Sequence, residues 1–308
     1  MILDGTLPKP WLHEEILLGD ASSRRYSRLR DATGQTAIQV RYPAADRLQL
    51  ARDLEVRSWC DAHGLRIPGL IDRDFERGWA ILEDFGEDDA DRALTTAPAS
   101  RRLEMALRAV DPLVVLATVS PTDLHGWNAP LDRARLRWEL AGFELWYLRH
   151  RRSVAPSPKI GGWLDEIATT VDSHPKRVCH RDYHLNNLFF LDTGEVGVID
   201  FQDMLVGPDT YDAVSLMCER GMPDMIGSSD RVQIKEEWAD ATSTLPGWQE
   251  RWRLVRIQRG LKVLGTFSRL SASGVSTYDR WMHHLARTLA PELESSDAPS
   301  KLVDLLLD

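Results

Sequence analysis

The 308-residue chain predicts an α+β fold, with a small sheet-plus-helix lobe followed by a larger, mainly helical lobe that carries a hairpin. Three observations predict it. Residues 16 to 42 are crowded with strand patterns and turn signals. The acidic, glycine-containing "EDFGEDD" at 83–89 reads as a boundary. Beyond it the apolar residues mostly recur at helical spacing, interrupted by "VCHRDYHLNNLFFLDTGEVGVIDFQD" at 178–203. The lobes are expected to divide at residues 1–84 and 85–308, and a groove between two such lobes is a common ligand site.

In the first lobe, "TAIQVRY" alternates between "DATG" and Pro43, with Ala37 and Gln39 on one face and Ile38 and Val40 on the other. A helix is predicted from about Asp46 to His63, ended by Gly64. Leu48, Ala51, Glu55, Trp59 and Ala62 are read as one stripe, which places the charge of Glu55 in an apolar face. "RGWAILEDF" supplies a further strand. In the second lobe, "RARLRWELAGFELWYLRH" keeps the 3.6 period through Leu136, Leu140, Phe143 and Tyr147. Further helices are read in "LEMALRAVDPLVVLATV", "YDAVSLMCERG", "WQERWRLVRIQRGLKVLGTFSRL" and "YDRWMHHLARTLAPEL".

Composition narrows the function. With 43% hydrophobic and 28% charged residues the chain is of ordinary globular type. A net charge of −9 argues against a broad nucleic-acid or anionic-membrane surface. Cys60, Cys179 and Cys218 are widely spaced and odd in number, which suits a reducing, cytoplasmic setting. No signal peptide is read in "MILDGTLPKPW", and the longest apolar run is too short for a bilayer. The eleven tryptophans are expected mostly in the core.

The chemistry concentrates in the hairpin. If Thr193-Gly194 is a two-residue loop, Asp192 faces Glu195 and Asn187 faces Asp200. An amide oxygen and a carboxylate at cross-strand distance can share a hard cation such as Mg²⁺. Asp182 precedes Asn187 by five residues. D-x-x-x-x-N followed by an Asp after the next strand is the arrangement of protein kinases, where a carboxylate orients the attacking hydroxyl and oxygen ligands hold Mg²⁺ on the ATP phosphates. Each residue alone is more often a turn or strand-end residue; the joint spacing carries the reading. Cys179, His180 and His184 fit no common zinc spacing. His180 is expected to brace the loop, and His184 to do the same or to line the acceptor site.

"HRDYHLNNL", "GVIDFQD" and "GPDTYDAVSL" resemble the aminoglycoside phosphotransferase and choline kinase family. "GDASSRRYSRL", "ILEDFGEDD" and "LRWELAGFELWYL" narrow the likeness to the bacterial anomeric kinases of N-acetylmuramate and N-acetylglucosamine. The resemblance implies a two-lobed, protein-kinase-like fold, with a nucleotide-binding N-lobe and a catalytic, acceptor-binding C-lobe. It implies ATP and Mg²⁺ as cofactors, a sugar as acceptor, and transfer to the C1 hydroxyl in cell-wall recycling. Asp182 would then be the catalytic carboxylate, Asn187 and Asp200 the metal ligands, and Asp212 a supporting residue.

The chain also departs from the kinase pattern. "GDASSRRYSRL" replaces the Gly-rich loop, so Ser22, Ser23 and Arg24 are the candidates there. The usual strand lysine is absent; Arg41, paired with Glu55, or some other residue is expected to meet the phosphates. "DFQ" stands where D-F-G is usual, and Gln202 lacks glycine's conformational freedom, so the metal loop is expected to flip less. The adenine is expected against Glu83, Asp84 and Phe85. Acceptor candidates are Asp203, Glu139, His184 and Arg181, with Trp138 and Trp146 more readily assigned to the core and Glu139 to a solvated face. Two readings stay open: another acceptor (aminoglycoside, choline or homoserine), which an acidic cleft near "EDFGEDDADR" would suit, or a catalytically silent nucleotide-binding scaffold.

Overall fold

The computed structural model describes residues 10–17, 23–155, 157–219 and 221–307. Ser22 and Gly19 lie outside the described residues. The chain divides into two compact units, Met1–Ala93 with Asn186–Gln202, and Leu94–Leu185 with Asp203–Asp308.

The first unit is built on an antiparallel five-stranded sheet: β1 (Trp11–Leu17), β2 (Arg25–Asp31), β3 (Thr36–Arg41), β4 (Leu70–Asp74) and β5 (Trp79–Glu83), in the order β1-β2-β3-β5-β4. The alternation read in "TAIQVRY" holds. Ala37 joins Trp11, Leu29, Trp79 and Ile81 in one cluster, while Val40 packs with Leu50, Leu54 and Ala80 in another. Leu50 and Leu54 come from helix α1 (Arg47–Ala62), which ends before Gly64 at φ +78°. The expected stripe of α1 is out of phase: Leu48 is 87% exposed, and the buried face is Leu50, Asp53, Leu54, Val56, Trp59 and Cys60. The buried carboxylate is therefore Asp53, and Glu55 faces outward.

The same unit includes the hairpin β7 (Leu188–Phe190) and β8 (Val196–Val198). Val198 N–H donates to the Arg66 carbonyl at 2.8 Å. The Phe85 ring lies so close over Gly197 that a Cβ there would sit 2.5 Å from it. The register differs by one residue from the expected one, because Leu188 pairs with Val198 and Phe190 with Val196. The turn uses three residues, Asp192 to Gly194. Leu191 and Glu195 close it at 3.0 Å, and Gly194 takes φ +90°. Three-residue hairpins of this kind end in a left-handed residue that glycine adopts without steric cost.

The second unit is helical apart from β6 (Lys176–Cys179) paired antiparallel with β9 (Leu205–Pro208). Its helices are α2 (Ala90–Thr96, begun in the first unit), α3 (Ala99–Arg108), α4 (Asp111–Thr118), α5 (Arg133–Gly142), α6 (Pro158–Asp172), α7 (Tyr211–Cys218), α8 (Met222–Met225), α9 (Ser228–Ala241), α10 (Trp248–Ala272), α11 (Asp279–Glu294) and α12 (Ser300–Leu307). α5 continues as a wider π-helical segment, Phe143–Arg151. The stripe Leu136, Leu140, Phe143 and Tyr147 is buried along both. Trp138, expected in the core, is 72% exposed, because it stands off that stripe. No helix among the described residues is long and apolar enough to cross a membrane.

α10 is the central helix. It packs against α5, α6, α7, α11 and the π-helical segment. Gly265 allows the closest approach, since an added Cβ would lie 2.6 Å from the Phe143 nitrogen. Gly265→Ala must push two helix backbones apart. It is expected to destabilise by about 1–3 kcal/mol or more, read as a lower urea midpoint with unchanged m-value.

Candidate active site

In the second unit, the loop after β6 carries His180, Arg181 and Asp182. Arg181 adopts φ +81°, a left-handed conformation that a branched-Cβ-free but bulky residue takes only when its surroundings impose it. They do so from two sides. The buried Asp212 carboxylate, in the first turn of α7, accepts the backbone N–H of His180 at 2.5 Å and of Arg181 at 2.9 Å. Arg259 of α10 donates to the Arg181 carbonyl at 3.1 Å. Arg259 is itself buried. It is fixed by Glu219 at 2.7 and 2.9 Å and Ser215 at 2.8 Å, and its guanidinium stacks over Tyr211. Burial raises the Asp212 carboxyl above its ordinary value, against the pull of His180, Arg259 and the loop N–H groups. Asp212 thus performs the supporting part expected of it by clamping the loop backbone.

Asp182 is half-buried. Burial pushes its carboxyl up, but Lys262, Arg181, Arg259 and His180 together outweigh burial and hold it below the ordinary carboxylate range. It is therefore ionised at neutral pH. Lys262 lies one turn beyond Arg259 on α10. Neither residue was singled out in the sequence, where their signal was cations recurring at three-residue spacing (Arg256, Arg259 and Lys262) in the helical run "RIQRGLKVLG".

The acceptor candidates behave differently from one another. Arg181 and Asp203 form a loose ion pair at 3.7 Å. His184 is buried. Glu139, expected on a solvated face, is 6% exposed and accepts from the buried Gln258 amide at 3.0 Å. Its other oxygen, the Gln258 carbonyl and the Tyr211 hydroxyl have no hydrogen-bond partner among the described residues. Burial keeps the Tyr211 phenol neutral well beyond its usual range.

In the first unit, Asn187 does not face Asp200. Its carbonyl accepts from Ile199 N–H at 3.0 Å, and the cause is the one-residue turn difference described above. Asp200 leaves the strand altogether, at φ +61°. Its carboxylate accepts from the Gln202 amide at 2.6 Å and stands 3.7 Å from Arg24. Among the described residues no group of three His, Cys, Asp or Glu side chains is arranged to hold a metal ion. One carboxylate and one amide oxygen nevertheless suit Mg²⁺, a hard cation that takes few protein ligands and fills its shell with water and phosphate oxygens.

The other nucleotide candidates are engaged within this unit. Arg41 donates to Gln39 at 2.8 Å, and the expected Arg41–Glu55 pair does not form, because Glu55 points away from the sheet. Arg24 instead pairs with Asp53 of α1 at 3.1 Å. Ser23 donates to Asp46 at 2.9 Å. Glu83 binds Arg66 at 2.5 Å and accepts the Gly69 N–H at 3.0 Å; Asp84, almost wholly buried, takes a forked bond from Arg28 at 2.6 and 3.2 Å. Phe85 packs beside Phe189, with centroids 5.8 Å apart, and under Arg66. The acidic run therefore spends its first charges on arginines of its own unit.

A small antiparallel sheet with one packed helix, and a helical unit whose clamped loop presents an ionised aspartate, define the class of protein-kinase-like phosphotransferases. A family model described as the phosphotransferase enzyme family (APH) matches residues 13–251. The chain belongs to that family and is an ATP-dependent kinase acting on a hydroxyl acceptor. It is 30% identical over 262 residues to an N-acetylmuramate/N-acetylglucosamine kinase of Pseudomonas aeruginosa, covering 82% of this chain and 75% of that protein. A protein of the same name from Neisseria meningitidis is 27% identical, over 94% of this chain and 89% of its own length. In fold it is similar to choline kinase LicA from Streptococcus pneumoniae, at a TM-score of 0.63 and 12% identity, covering 96% of this chain and 94% of that one.

Proposed function

We propose that the chain phosphorylates the anomeric hydroxyl of N-acetylmuramate or N-acetylglucosamine, in cell-wall recycling, using ATP and Mg²⁺. The observation that carries the sugar assignment is the name shared by its relatives in Pseudomonas and Neisseria, matched along most of both chains. The ionised Asp182 on its clamped loop supports the chemistry.

In this reading Asp182 orients the C1 hydroxyl and takes its proton. The hydroxyl oxygen forms a bond to the γ-phosphorus as the bond to the β-phosphate bridging oxygen breaks, leaving ADP. An anomeric hydroxyl is more acidic than an ordinary alcohol, so a carboxylate suffices as base, and no covalent enzyme intermediate is needed. Asn187 and Asp200 would hold Mg²⁺, which supplies charge neutralisation on the phosphates. Since the Glu83 and Asp84 side chains are engaged by Arg66 and Arg28, the linker would offer the adenine its backbone and the Phe85 ring. Arg181, Asp203, His184 and Glu139 remain the acceptor candidates. A cytoplasmic location fits a kinase that draws on cellular ATP.

A coupled ATP-consumption assay across N-acetylmuramate, N-acetylglucosamine, glucose, choline and kanamycin tests the reading. The expected result is turnover with the two N-acetyl sugars, and a product that has lost its reducing end. Turnover of kanamycin or choline alone would replace the sugar assignment with another acceptor. No ATP consumption with any acceptor would favour a silent scaffold.

A further inference from the structure

We propose that Lys262 of α10 recognises an anionic group on the acceptor, so that the site favours N-acetylmuramate, whose lactyl ether ends in a carboxylate, over the neutral N-acetylglucosamine. The proposal rests on the reading of the chain as a kinase of these sugars, and names the one its charges suit.

The geometry starts on α10. Arg259 donates to the Arg181 carbonyl at 3.1 Å, so this face of the helix lies against the loop that carries Asp182. Lys262 follows Gln258 by four residues and Arg259 by three, which sets it on the same face one turn further on. It is half-buried. Its ammonium is the first of the cations that draw the Asp182 carboxyl down, so the two charges are neighbours.

The other cations that act on Asp182 are committed. Arg259 is held by Glu219 at 2.7 and 2.9 Å and by Ser215 at 2.8 Å. Arg181 faces Asp203 at 3.7 Å, and His180 is wholly buried. Lys262 differs: among the described residues its ammonium has no ion pair and no hydrogen bond. Were it there only to keep Asp182 ionised, direct contact would serve best. Standing off, it keeps its donors for a ligand. An anionic ligand needs such a cation here. Glu139, Asp182 and Glu219 all act on the Tyr211 phenol. Of these, Glu219 is neutralised by Arg259, while the partner of Glu139 is the uncharged Gln258 amide. A carboxylate brought among such groups is repelled unless a cation meets it. In N-acetylmuramate the carboxylate hangs from C3, with one ring carbon between C3 and the reacting C1. Asp182 at the C1 hydroxyl and Lys262 at the carboxylate are therefore compatible demands on one bound sugar.

The test compares N-acetylmuramate with N-acetylglucosamine and with the methyl ester of N-acetylmuramate, which keeps the shape and removes the charge. kcat and KM are measured for wild type, Lys262→Met and Lys262→Arg, with ATP saturating and at a pH well above the carboxylate range. Wild type is expected to favour the acid over its ester in kcat/KM by about 10- to 100-fold, the range of a charge-assisted bond. Lys262→Met is expected to lose that preference, mainly through KM, and Lys262→Arg to keep much of it. Any effect of Lys262 on Asp182 is common to the three sugars and cancels in the ratio. The proposal is overturned if wild type treats acid and ester alike. It is overturned equally if the ratio persists in Lys262→Met, as it would were Lys262 to serve the base or the phosphoryl group alone. If Lys262→Met fails to fold, Lys262→Gln decides by the same ratio. A wild-type protein that turns over none of the three would instead sink the sugar reading on which the proposal rests.

Discussion

Asp182→Asn is expected to lower kcat by about 10²–10⁴, the usual contribution of a positioned general base, while leaving the thermal midpoint near that of wild type. The amide preserves the shape of the side chain but cannot take the acceptor's proton. Its loop is held independently, by Asp212 on the His180 and Arg181 amides and by Arg259 on the Arg181 carbonyl, so the substitution should not release the backbone. Single-turnover kinetics and a melt on the same preparation check both halves. A variant turning over at the wild-type rate would remove Asp182 from the chemistry.

The pH profile follows from the same charges. Burial alone would raise the Asp182 carboxyl, but Lys262, Arg181, Arg259 and His180 bring it below the ordinary range. The base works when deprotonated, so kcat/KM should be flat on the acid side of neutrality and fall only below about pH 4, where an unperturbed aspartate would already be half protonated. Removing the cation with the largest pull by Lys262→Met is expected to shift that fall to higher pH. For stability the sign is the same. A carboxylate whose folded pKa is depressed stabilises above its unfolded pKa, and that contribution is lost as pH falls through the folded value.

Arg259→Leu is expected to give the largest loss of stability, about 3–5 kcal/mol, because it strands the Glu219 carboxylate inside the protein. Arg259 is 1% exposed, and its partners are Glu219, Ser215, the Arg181 carbonyl and the Tyr211 ring. The double variant Arg259→Leu/Glu219→Leu should recover part of the loss, since no unpaired charge then remains buried. Urea unfolding of the single and double variants measures the coupling. The double variant should still be slow as an enzyme, for the Arg181 carbonyl has lost its donor and the left-handed turn before Asp182 one of its two restraints.

What was legible in the sequence was what local pattern controls. The alternation of residues 36–42, the limits of α1, the hairpin and the stripe from Leu136 to Tyr147 all follow from spacing within one element. The hairpin register was not legible, because "DTGE" fits a two- or a three-residue turn equally well, and only packing against Arg66 and Phe85 decides between them. The choice between Asp53 and Glu55 turned on the phase of a helix with apolar residues on more than one side. Trp138 and Glu139 exchanged their expected places for a similar reason: adjacent helical positions differ by about 100°, and it is Gln258, 119 positions away, that gives Glu139 its buried partner. Arg28 with Asp84 and Arg259 with Arg181 likewise join residues 56 and 78 positions apart, beyond the reach of any windowed pattern.

The Gln202–Asp200 bond has a consequence for control. The segment proposed to hold the metal is tied down by its own neighbour, and Asp200 sits at φ +61°, a backbone basin uncommon for a residue other than glycine. A loop held in this way is expected to flip less than one with glycine in the place of Gln202. The enzyme's output should track the supply of acceptor and nucleotide, so that a cell wishing to throttle the step would act on those supplies or on the amount of protein made.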